Sequence, residues 1–399
     1  MAKYIKITQD NTHTENVTSD VIERLYNYCV GGIEDNSNII GKVKTTYAYD
    51  DECKYLTNKF SDFSIMVGEY YARITDDAAR TIILSKWGES DGKHVLASKL
   101  ATVNSLESVF ANTSIKDAKW LSYFTKVTNL SHTFSGVTST TLDGLEKLDT
   151  SMVTNMQNTF GSCKMTKLDV SGWDVSHVTS MSGMFTNIAA EELDLTSWNI
   201  SSITGKTGMF RGARNLKEIK GFESCNISTI AYQMFFDCPS LALTSLPEGV
   251  TSIGSQAFSG CTSLALTSLP EGVTSIGSGA FDNCTKCFFK SDALKNIKSF
   301  NIDWNTYGGF RNDYFENRQL ILGENCAKIN VDCFTYAHVD KVKILATTPP
   351  VLARSNAFYN EKWIYMQIYV PDASLDAYKT ANEWKKMAEY IHPMSEWTD

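Results

Sequence analysis

The residues that could do chemistry are few in this chain and stand far apart. None of the six histidines has another at a metal-binding spacing, and no nucleophile elbow, phosphate-binding loop or dinucleotide-binding glycine motif opens a helix. Cys284 and Cys287 have the spacing of half a zinc or redox site, but a single CxxC is weak evidence. We therefore expect no catalytic residue, no metal and no cofactor.

Carboxylates give no stronger signal. The adjacent pairs Asp50-Asp51 and Asp76-Asp77 are typical of solvated turns. Asp169 and Asp194 recur at one position of a repeated pattern, whereas a catalytic residue is usually needed once. A calcium site would need more oxygen ligands than the sequence places beside them. The sequence therefore predicts a protein that is not an enzyme.

The elements that carry these residues arise from an internal repeat. Residues 240–255 and 263–278 have the same sixteen letters, SLALTSLPEGVTSIGS, at an offset of 23. Weaker copies extend upstream, and each contains one phenylalanine at intervals of 23 to 26 residues. These anchors are Phe110, Phe134, Phe160, Phe185, Phe210, Phe235, Phe258 and Phe281. One copy cannot bury its own apolar face, so stacked copies must share a core with a column of anchors.

Each copy has further recurring positions. Pairs such as Leu168 with Val170 and Leu241 with Leu243 alternate as on one face of a short strand. Twelve residues before the anchor, Trp173 and Trp198 occupy the register of leucines in other copies, which favours core packing over exposed binding anchors. The cysteines three residues after the anchor predict small, buried, reduced thiols: Cys163, Cys238, Cys261 and Cys284.

The two ends depart from this pattern. Residues 1–100 predict a small α+β domain, with a strand at 3–8, a helix capped by Ser19 and a hairpin formed by 70–75 and 80–87. This domain either caps the first copy or docks the chain onto a larger assembly. From residue 288 the period blurs and then returns at Phe334 and Phe358. After Pro371 the apolar spacing predicts an amphipathic helix that covers the open end.

Several segments resemble known bacterial repeats. Residues 245–264, SLPEGVTSIGSQAFSGCTSL, are similar to the BspA-like leucine-rich repeat of bacterial surface proteins. LDVSGWDVSHVTSMSGMF (168–185) and LDLTSWNISSITGKTGMF (193–210) resemble the related lipoprotein-type repeat. ATTPPVLARSNAF (346–358) and IYVPDASLDAYKTANEW (368–384) resemble the end of such proteins in Bacteroides-type bacteria. The resemblance covers about residues 104–391 and implies adhesion or protein recognition through the repeat surface.

The pattern and the resemblance together predict a mainly β protein with short helical or irregular segments. We expect a small α+β N-terminal domain over residues 1–100 and a leucine-rich-repeat solenoid of about eight coils over 101–287. Degenerate repeats and a C-terminal capping helix are expected over 288–399. The candidate binding residues are the outward members of the strands, namely Asp169, Ser171, Asp194, Thr196, Thr244 and Thr267. Such a flat polar face suits a protein or glycan better than a small molecule.

Charge and hydropathy restrict the partners. The net charge of −8 without a long basic run excludes a nucleic-acid binder, and no run approaches the length of a membrane span. The first residues lack the charged start and apolar run of an export signal, which favours synthesis in a cytoplasm.

Three functions compete on these grounds. The first is a phage virion protein, as a fibre, attachment or decoration component made in the host cytoplasm. Its N-terminal domain would bind other virion proteins, and its solenoid would bind a host surface protein or glycan. The second is a bacterial cell-surface adhesin whose export signal is absent from this sequence. The third is an enzyme whose active site is confined to residues 1–100 or 288–330. Homo-oligomer formation is left open.

Overall fold

The computed structural model describes residues 72–301, 314–330, 333–335, 337–359, 362 and 364–398, together with two strands nearer the N-terminus. The helix predicted after Ser19 lies outside the described residues. The strands are short, and they are β1 (Ile5–Gln9), β2 (Phe63–Val67), β3 (Glu192–Asp194), β4 (Glu218–Lys220), β5 (Thr229–Ile230), β6 (Ser252–Ile253), β7 (Ser275–Gly277), β8 (Phe288–Phe289), β9 (Ser299–Asn301), β10 (Tyr314–Phe315), β11 (Gln319–Leu322), β12 (Lys328–Ile329), β13 (Lys341–Ile344), β14 (Val351–Leu352), β15 (Gln367–Val370) and β16 (Ile391–Pro393).

Helices are few and short in the same residues. The α-helices are α1 (Asp77–Trp87), α2 (Ala97–Leu100) and α3 (Leu375–Thr380). The 3-10 helices are Lys119–Tyr123, Leu145–Lys147, Phe222–Ser224, Glu316–Arg318, Ser355–Phe358, Asp372–Ser374, Trp384–Tyr390 and Met394–Glu396. None of these helices of the described residues has the length and apolar character needed to cross a membrane. The prediction of a mainly β chain with short helical segments is confirmed at this level.

Most strand pairs are parallel, as expected when successive copies of a repeat run in one direction. The largest sheet has the order β14-β12-β9-β7-β6-β5, and a second has the order β11-β13-β15-β16. Two smaller parallel pairs join β3 to β4 and β8 to β10. In contrast, β1 and β2 pair antiparallel, so the predicted strand at residues 3–8 is confirmed from residue 5 onward.

The chain divides into two compact units. The first contains Met1–Ser105, Ile115–Val127 and Leu142–Asp149, and the second contains Leu106–Ser114, Thr128–Thr141 and Thr150–Asp399. In the first unit the aromatic rings of Trp87 and Trp120 pack edge-on against Phe124, at centroid distances of 5.6 and 6.2 Å.

The hairpin predicted around Asp76-Asp77 is wrong, because residues 77–87 form α1. The Asp76 carboxylate accepts a hydrogen bond of 2.9 Å from the N–H of Ala79 and so caps the helix. A second carboxylate in the first turn, Asp77, also favours a helix start. Ala79 and Ile83, four residues apart, are buried, which is the helical period rather than the alternation of a strand.

The predicted column of phenylalanines is confirmed in the second unit. From Phe110 to Phe281 each anchor ring stacks on the next at centroid distances of 5.2 to 6.1 Å, with interplanar angles of 2 to 13°. All eight side chains are fully buried. Burying one such side chain contributes roughly 1.5–3 kcal/mol to the stability of the fold. The column is therefore the central part of the hydrophobic core.

A backbone ladder accompanies the column. The N–H of each anchor from Phe110 to Phe258 donates to the carbonyl of the residue that precedes the next anchor, at 2.8 to 3.1 Å. The N–H groups two residues before and two residues after each of these anchors also donate to backbone carbonyls of the next repeat. At these two flanking positions φ is positive in all eight repeats, as in Asn187 (53°) and Gly212 (68°). The repeat therefore depends on left-handed backbone, which asparagine and glycine adopt most readily.

The strands occupy a different place from the one predicted. Leu193 lies in β3, but residues 168–170 and 241–243 have no strand assignment. The six-stranded sheet instead contains the residues five positions before the later anchors, such as Ile230, Ile253 and Ile276. The alternating apolar residues are buried as predicted. However, neighbouring copies are joined there by isolated hydrogen bonds, such as Ala265 N–H to the carbonyl of Leu243 at 2.9 Å.

The repeats are of two kinds that differ by one residue in register. Upstream, the buried side chains before the anchor lie at positions −7 and −4, as in Val178 and Met181. Downstream they lie at −8 and −5, as in Val250 and Ile253. The change occurs between the repeats of Phe210 and Phe235, where the upstream kind ends and the regular sheet begins with β5.

The C-terminal part retains a weaker version of the pattern. The rings of Phe334 and Phe358 pack at 6.0 Å, and the N–H of Phe334 donates to the residue before Phe358, which confirms the predicted return of the period. The predicted helix after Pro371 is broken in two, since α3 ends at Thr380 and a 3-10 helix follows from Trp384. The break occurs at Glu383, whose φ is 63°.

Candidate functional site

The six predicted binding residues are all exposed. Asp169 and Ser171 flank buried Val170, and Asp194 and Thr196 flank buried Leu195. Thr244 and Thr267 occupy the corresponding place in later copies, beside buried Leu243 and Leu266. The outward orientation expected from alternation is therefore present, although these segments form little regular sheet.

The two carboxylates of this set hold the local backbone. Asp169 Oδ1 accepts hydrogen bonds from the N–H of Ser171 at 3.1 Å and from its hydroxyl at 2.7 Å. Asp194 Oδ1 accepts one from the N–H of Thr196 at 3.0 Å. This bond from Thr196 lowers the pKa of Asp194, with a smaller effect from the Lys220 ammonium. The recurrence of aspartate at this position thus has a structural reason, a turn closed by its side chain.

Three of the six residues share a shallow groove. Its volume is about 640 Å³, and its lining is Thr166, Lys167, Leu168, Asp169, Ser171, Glu191, Glu192 and Asp194. The lining has four carboxylates and one ammonium, so it is acidic. Glu191 is paired with Lys217 at 2.7 Å, and Glu192 is paired with Lys220. Exposed pairs of this kind contribute about 0–1 kcal/mol and exchange readily for contacts with a partner.

The other predicted residues lie outside this groove. Thr196, Thr244 and Thr267 are absent from its lining. A second groove of about 430 Å³ is lined by the neighbours of the two later threonines, Ser245 and Ser268, together with Glu248 and Glu271. The structure therefore joins Asp169, Ser171 and Asp194 but leaves the threonines as separate exposed positions. The sequence did not identify Lys167 and the pair Glu191-Glu192 as groove residues. The only indication of their role was that they directly precede a buried leucine.

The cysteines and tryptophans belong to the core, as predicted. Trp173 and Trp198 are 3% and 4% exposed. All cysteines among the described residues are free and buried. The thiols of Cys238, Cys261 and Cys284 donate to the carbonyl of the anchor one repeat earlier, at 3.0 to 3.1 Å.

The thiols of Cys163, Cys261 and Cys326 are poor nucleophiles and poor metal ligands. Burial raises the pKa of Cys163 to about 11 and that of Cys326 to about 12, and it raises the pKa of Cys261 as well. Cys287 is buried too, and its thiol donates to the carbonyl of Leu264 at 3.4 Å. In the part of the chain that the structure describes, no group of three or more histidines, cysteines or carboxylates has a metal-binding arrangement.

One buried cation was not foreseen from the sequence. Lys206 is 7% exposed at a position where earlier repeats have Leu130, Met156 and Met181. Its ammonium donates to the carbonyls of Ile203 and, at 3.4 Å, of Ile200. Desolvation lowers the pKa of this lysine.

The first unit contains a smaller cavity of about 310 Å³ with basic side chains. Arg73, Arg80, Lys93 and His94 contribute to its lining. His94 Nδ1 lies 2.6 Å from Asp91 Oδ2, and this hydrogen bond lowers the pKa of Asp91 to about 2. The hydroxyl of Thr75 also lines this cavity, and it donates a hydrogen bond to the Asp117 carboxylate.

Two known families match parts of the chain. Residues 128–245 match the family described as "Mycoplasma protein of unknown function, DUF285". Residues 228–365 match the BspA type leucine rich repeat region in six copies, which confirms the resemblance noted for residues 245–264. The two matches overlap at 228–245, directly after the change in register of the buried pair.

Two solved structures are similar to parts of the chain. A leucine-rich repeat protein from Bacteroides ovatus is 20% identical, covering 46% of this chain and 55% of its own, with a TM-score of 0.25. A leucine rich cell surface protein from Faecalibacterium prausnitzii is 16% identical, covering 69% of this chain and 85% of its own, with a TM-score of 0.30. The chain thus spans about half the length of the Bacteroides protein. No curated protein matches the chain.

Proposed function

We propose that this chain, in which residues 228–365 are BspA-type leucine-rich repeats, is a non-enzymatic binding module that presents a solenoid surface to a protein or a glycan. The observation that carries the proposal is the unbroken column of stacked anchors with its backbone ladder. Such a stack holds exposed side chains of successive repeats at fixed spacing, so a broad partner meets a preorganised surface and loses little freedom on binding.

The chemistry of the surface supports binding rather than catalysis. The recurring aspartates accept hydrogen bonds within their own turns, and the recurring thiols are buried, with burial raising the pKa of Cys163 and Cys261. Exposed hydroxyls and carboxylates can also form polar contacts with hydrated partners. We place the contact surface on Asp169, Ser171, Asp194 and Thr196, with Thr244 and Thr267 extending it along later repeats.

A steric block tests this surface without assuming the partner's chemistry. The full-length protein is applied to protein and glycan microarrays from bacterial surfaces, and Thr196→Trp and Thr244→Trp are compared with it. Both positions are exposed, so the folded state should persist, and each variant should weaken binding by about tenfold or more. Thr380→Trp, at an exposed position on α3, is the matched control and should bind as the parent does. Unchanged binding by both threonine variants would exclude this surface.

For location we propose the phage virion, with the chain made in the host cytoplasm. Other virion proteins would contact the N-terminal residues, and the solenoid would contact the host. Quantitative mass spectrometry of gradient-purified particles should find the chain at a fixed ratio to the capsid protein. Its presence only in infected-cell lysate would contradict this location.

The alternative is a bacterial cell-surface adhesin, and it rests on the BspA-type repeats. Labelling of intact bacterial cells with an antibody against this chain, in the absence of phage, would support the alternative and contradict the first location.

A further inference from the structure

The C-terminal sheet carries aromatic rings on its outward face. Along the line of β15 the outward side chains are Tyr365, Gln367 and Tyr369, and along β16 they are Tyr390 and His392. The intervening residues of both strands, such as Ile368 and Ile391, are buried on the opposite face. Tyr359 and Trp397 extend this row of rings, and we call Tyr359, Tyr365, Tyr390, Tyr369 and Trp397 the aromatic strip.

The rings of the strip support one another. Tyr365 lies between Tyr359 and Tyr390, at centroid distances of 4.4 and 5.1 Å. Tyr369 contacts the His392 ring at 5.3 Å and meets the Trp397 ring edge-on at 5.1 Å. All of them are half-buried, so each offers part of its ring to solvent while its position is fixed by its neighbours. Fixed rings bind without the loss of side-chain freedom that mobile rings would incur.

Polar and cationic groups alternate with the rings. Gln367 Oε1 lies 2.7 Å from His392 Nε2, which places an amide and an imidazole between the tyrosines. The ammoniums of Lys341 and Lys343 lie 5.8 and 5.1 Å from the centre of the Trp397 ring. Lys341 also donates to the carbonyl of Thr398 at 3.1 Å.

The neighbouring charges leave this end of the strip basic. Glu396 lies 3.5 Å from His392 Nδ1, and Asp340 is paired with Arg318. The two lysines are on the same face of β13 and project beside the rings. At the other end of the strip Tyr390 is hydrogen-bonded to the Glu389 carboxylate, so the positive charge is confined to the end with Lys341 and Lys343. A polyanion would be attracted to these two ammoniums.

We infer that the aromatic strip with Lys341 and Lys343 binds an acidic polysaccharide, of the class whose pyranose rings carry carboxylates. The apolar C–H face of a pyranose packs on a tyrosine or tryptophan ring, and its hydroxyls bond to the amide and the imidazole. The carboxylates form charge-assisted hydrogen bonds with the two ammoniums. Across the sheet, one outward row contains Ile321, Lys343, Tyr369 and His392, and the row beside it contains Gln319, Lys341 and Gln367. Ile321 is the only aliphatic side chain in these two rows, which favours a sugar over an apolar peptide.

This surface is distinct from the one placed on Asp169 and its neighbours. The two inferences therefore succeed or fail separately.

The test is the binding of polygalacturonate to the full-length protein, followed by biolayer interferometry at low ionic strength. Dextran, which has pyranose rings without charge, and poly-L-glutamate, which has carboxylates without pyranose rings, are the comparison ligands. Polygalacturonate should bind at least about tenfold more tightly than either, and added salt should weaken the binding. Equal binding of poly-L-glutamate would assign the face to an acidic protein segment and overturn the proposal. Equal binding of dextran, or no binding of polygalacturonate, would also overturn it.

Variants locate the binding on the strip. Lys343→Gln and Tyr365→Leu should each weaken polygalacturonate binding about tenfold, whereas Lys328→Gln, an exposed lysine on β12, should not. Thermal unfolding shows whether each variant is folded, and Lys343→Gln decides the matter if Tyr365→Leu is not. Thr196→Trp should leave this binding unchanged. Retained binding by folded Lys343→Gln would refute the assignment.

Discussion

Deletion of one ring from the middle of the column is the most direct test of the fold. Phe210 is fully buried between the rings of Phe185 and Phe235, at centroid distances of 5.5 and 5.2 Å. Truncation of a buried phenylalanine to alanine costs about 3–5 kcal/mol. Each aromatic pair adds about 0.5–1.5 kcal/mol beyond the buried area, so Phe210→Ala should lie near the upper end of that range. Phe160→Ala, whose ring is stacked between those of Phe134 and Phe185, should cost a similar amount.

Urea unfolding, followed by circular dichroism and by tryptophan fluorescence, measures both changes. Phe288→Ala is the control, because this ring is 52% exposed and its loss should change the free energy of unfolding by less than about 0.5 kcal/mol. Trp173 and Trp198 lie at 5.4 and 6.2 Å from anchor rings, so their fluorescence reports on the column itself. A cost below about 1 kcal/mol for Phe210→Ala, or a cost equal to that of Phe288→Ala, would refute the shared core.

Three further predictions concern single positions. In Gly212→Ala the new Cβ would lie 2.0 Å from Asn187 Oδ1, at a residue whose φ is 68°. The melting temperature should therefore fall. A second change, Asn187→Gly, removes the clashing side chain and should restore part of the lost melting temperature. Lys206→Met should stabilise the chain by about 1 kcal/mol in urea unfolding. Because the folded pKa of Lys206 is lowered, the parent's stability should rise with pH between that pKa and the ordinary lysine value, and the variant should lose this slope. Cys261 should react with a thiol reagent only after unfolding, and Cys261→Ala should fold because Ala213 is buried at the same repeat position.

The repeat itself could be predicted because its period is a property of the sequence. A phenylalanine every 23 to 26 residues is sufficient to place eight rings in a column once the copies stack. The same logic gave the burial of Trp173 and Trp198, which share a register with leucines. Positions that are apolar in every copy are therefore reliable predictors of the core.

The hydrogen-bonding pattern could not be predicted in the same way. The residues five positions before the anchor differ in chemistry, since they include Asn155, Gly205 and Ile253, yet each pairs in parallel with a neighbouring copy. The alternation of buried and exposed residues at Leu241 and Leu243 indicated a strand. An extended segment outside a sheet has the same two-residue period, so this pattern does not distinguish the two. The hairpin at Asp76 failed because one capping carboxylate outweighed the strand-like composition that follows it.

The candidate sites show a similar division. Asp169, Ser171 and Asp194 could be placed on one face because they repeat with the coils. The aromatic strip could not, because its members are spread over residues 359–397 without a common period and only the pairing of β15 with β16 unites them.

The seam between the two kinds of repeat shows which features of the coil are essential. The buried pair shifts by one residue between Ile203 and Ile227, a change that turns side chains to opposite faces in an ordinary strand. Lys206 fills the last upstream position because its aliphatic stem packs in the core while its ammonium reaches backbone carbonyls. Gly205 fits beside it, where a Cβ would lie 2.8 Å from Ser180 Oγ.

Through the same seam the anchor column and its ladder continue unchanged, with Phe210 and Phe235 stacked at 5.2 Å and an interplanar angle of 4°. The N–H of Phe210 donates across the seam to the carbonyl of Met234 at 2.9 Å. Two neighbouring coils must therefore share the anchor and the two flanking residues with left-handed backbone. The buried apolar pair before the anchor can differ by one residue in position. Repeats matched by two different families can form one stack because they agree at the anchor and differ only where the stack tolerates difference.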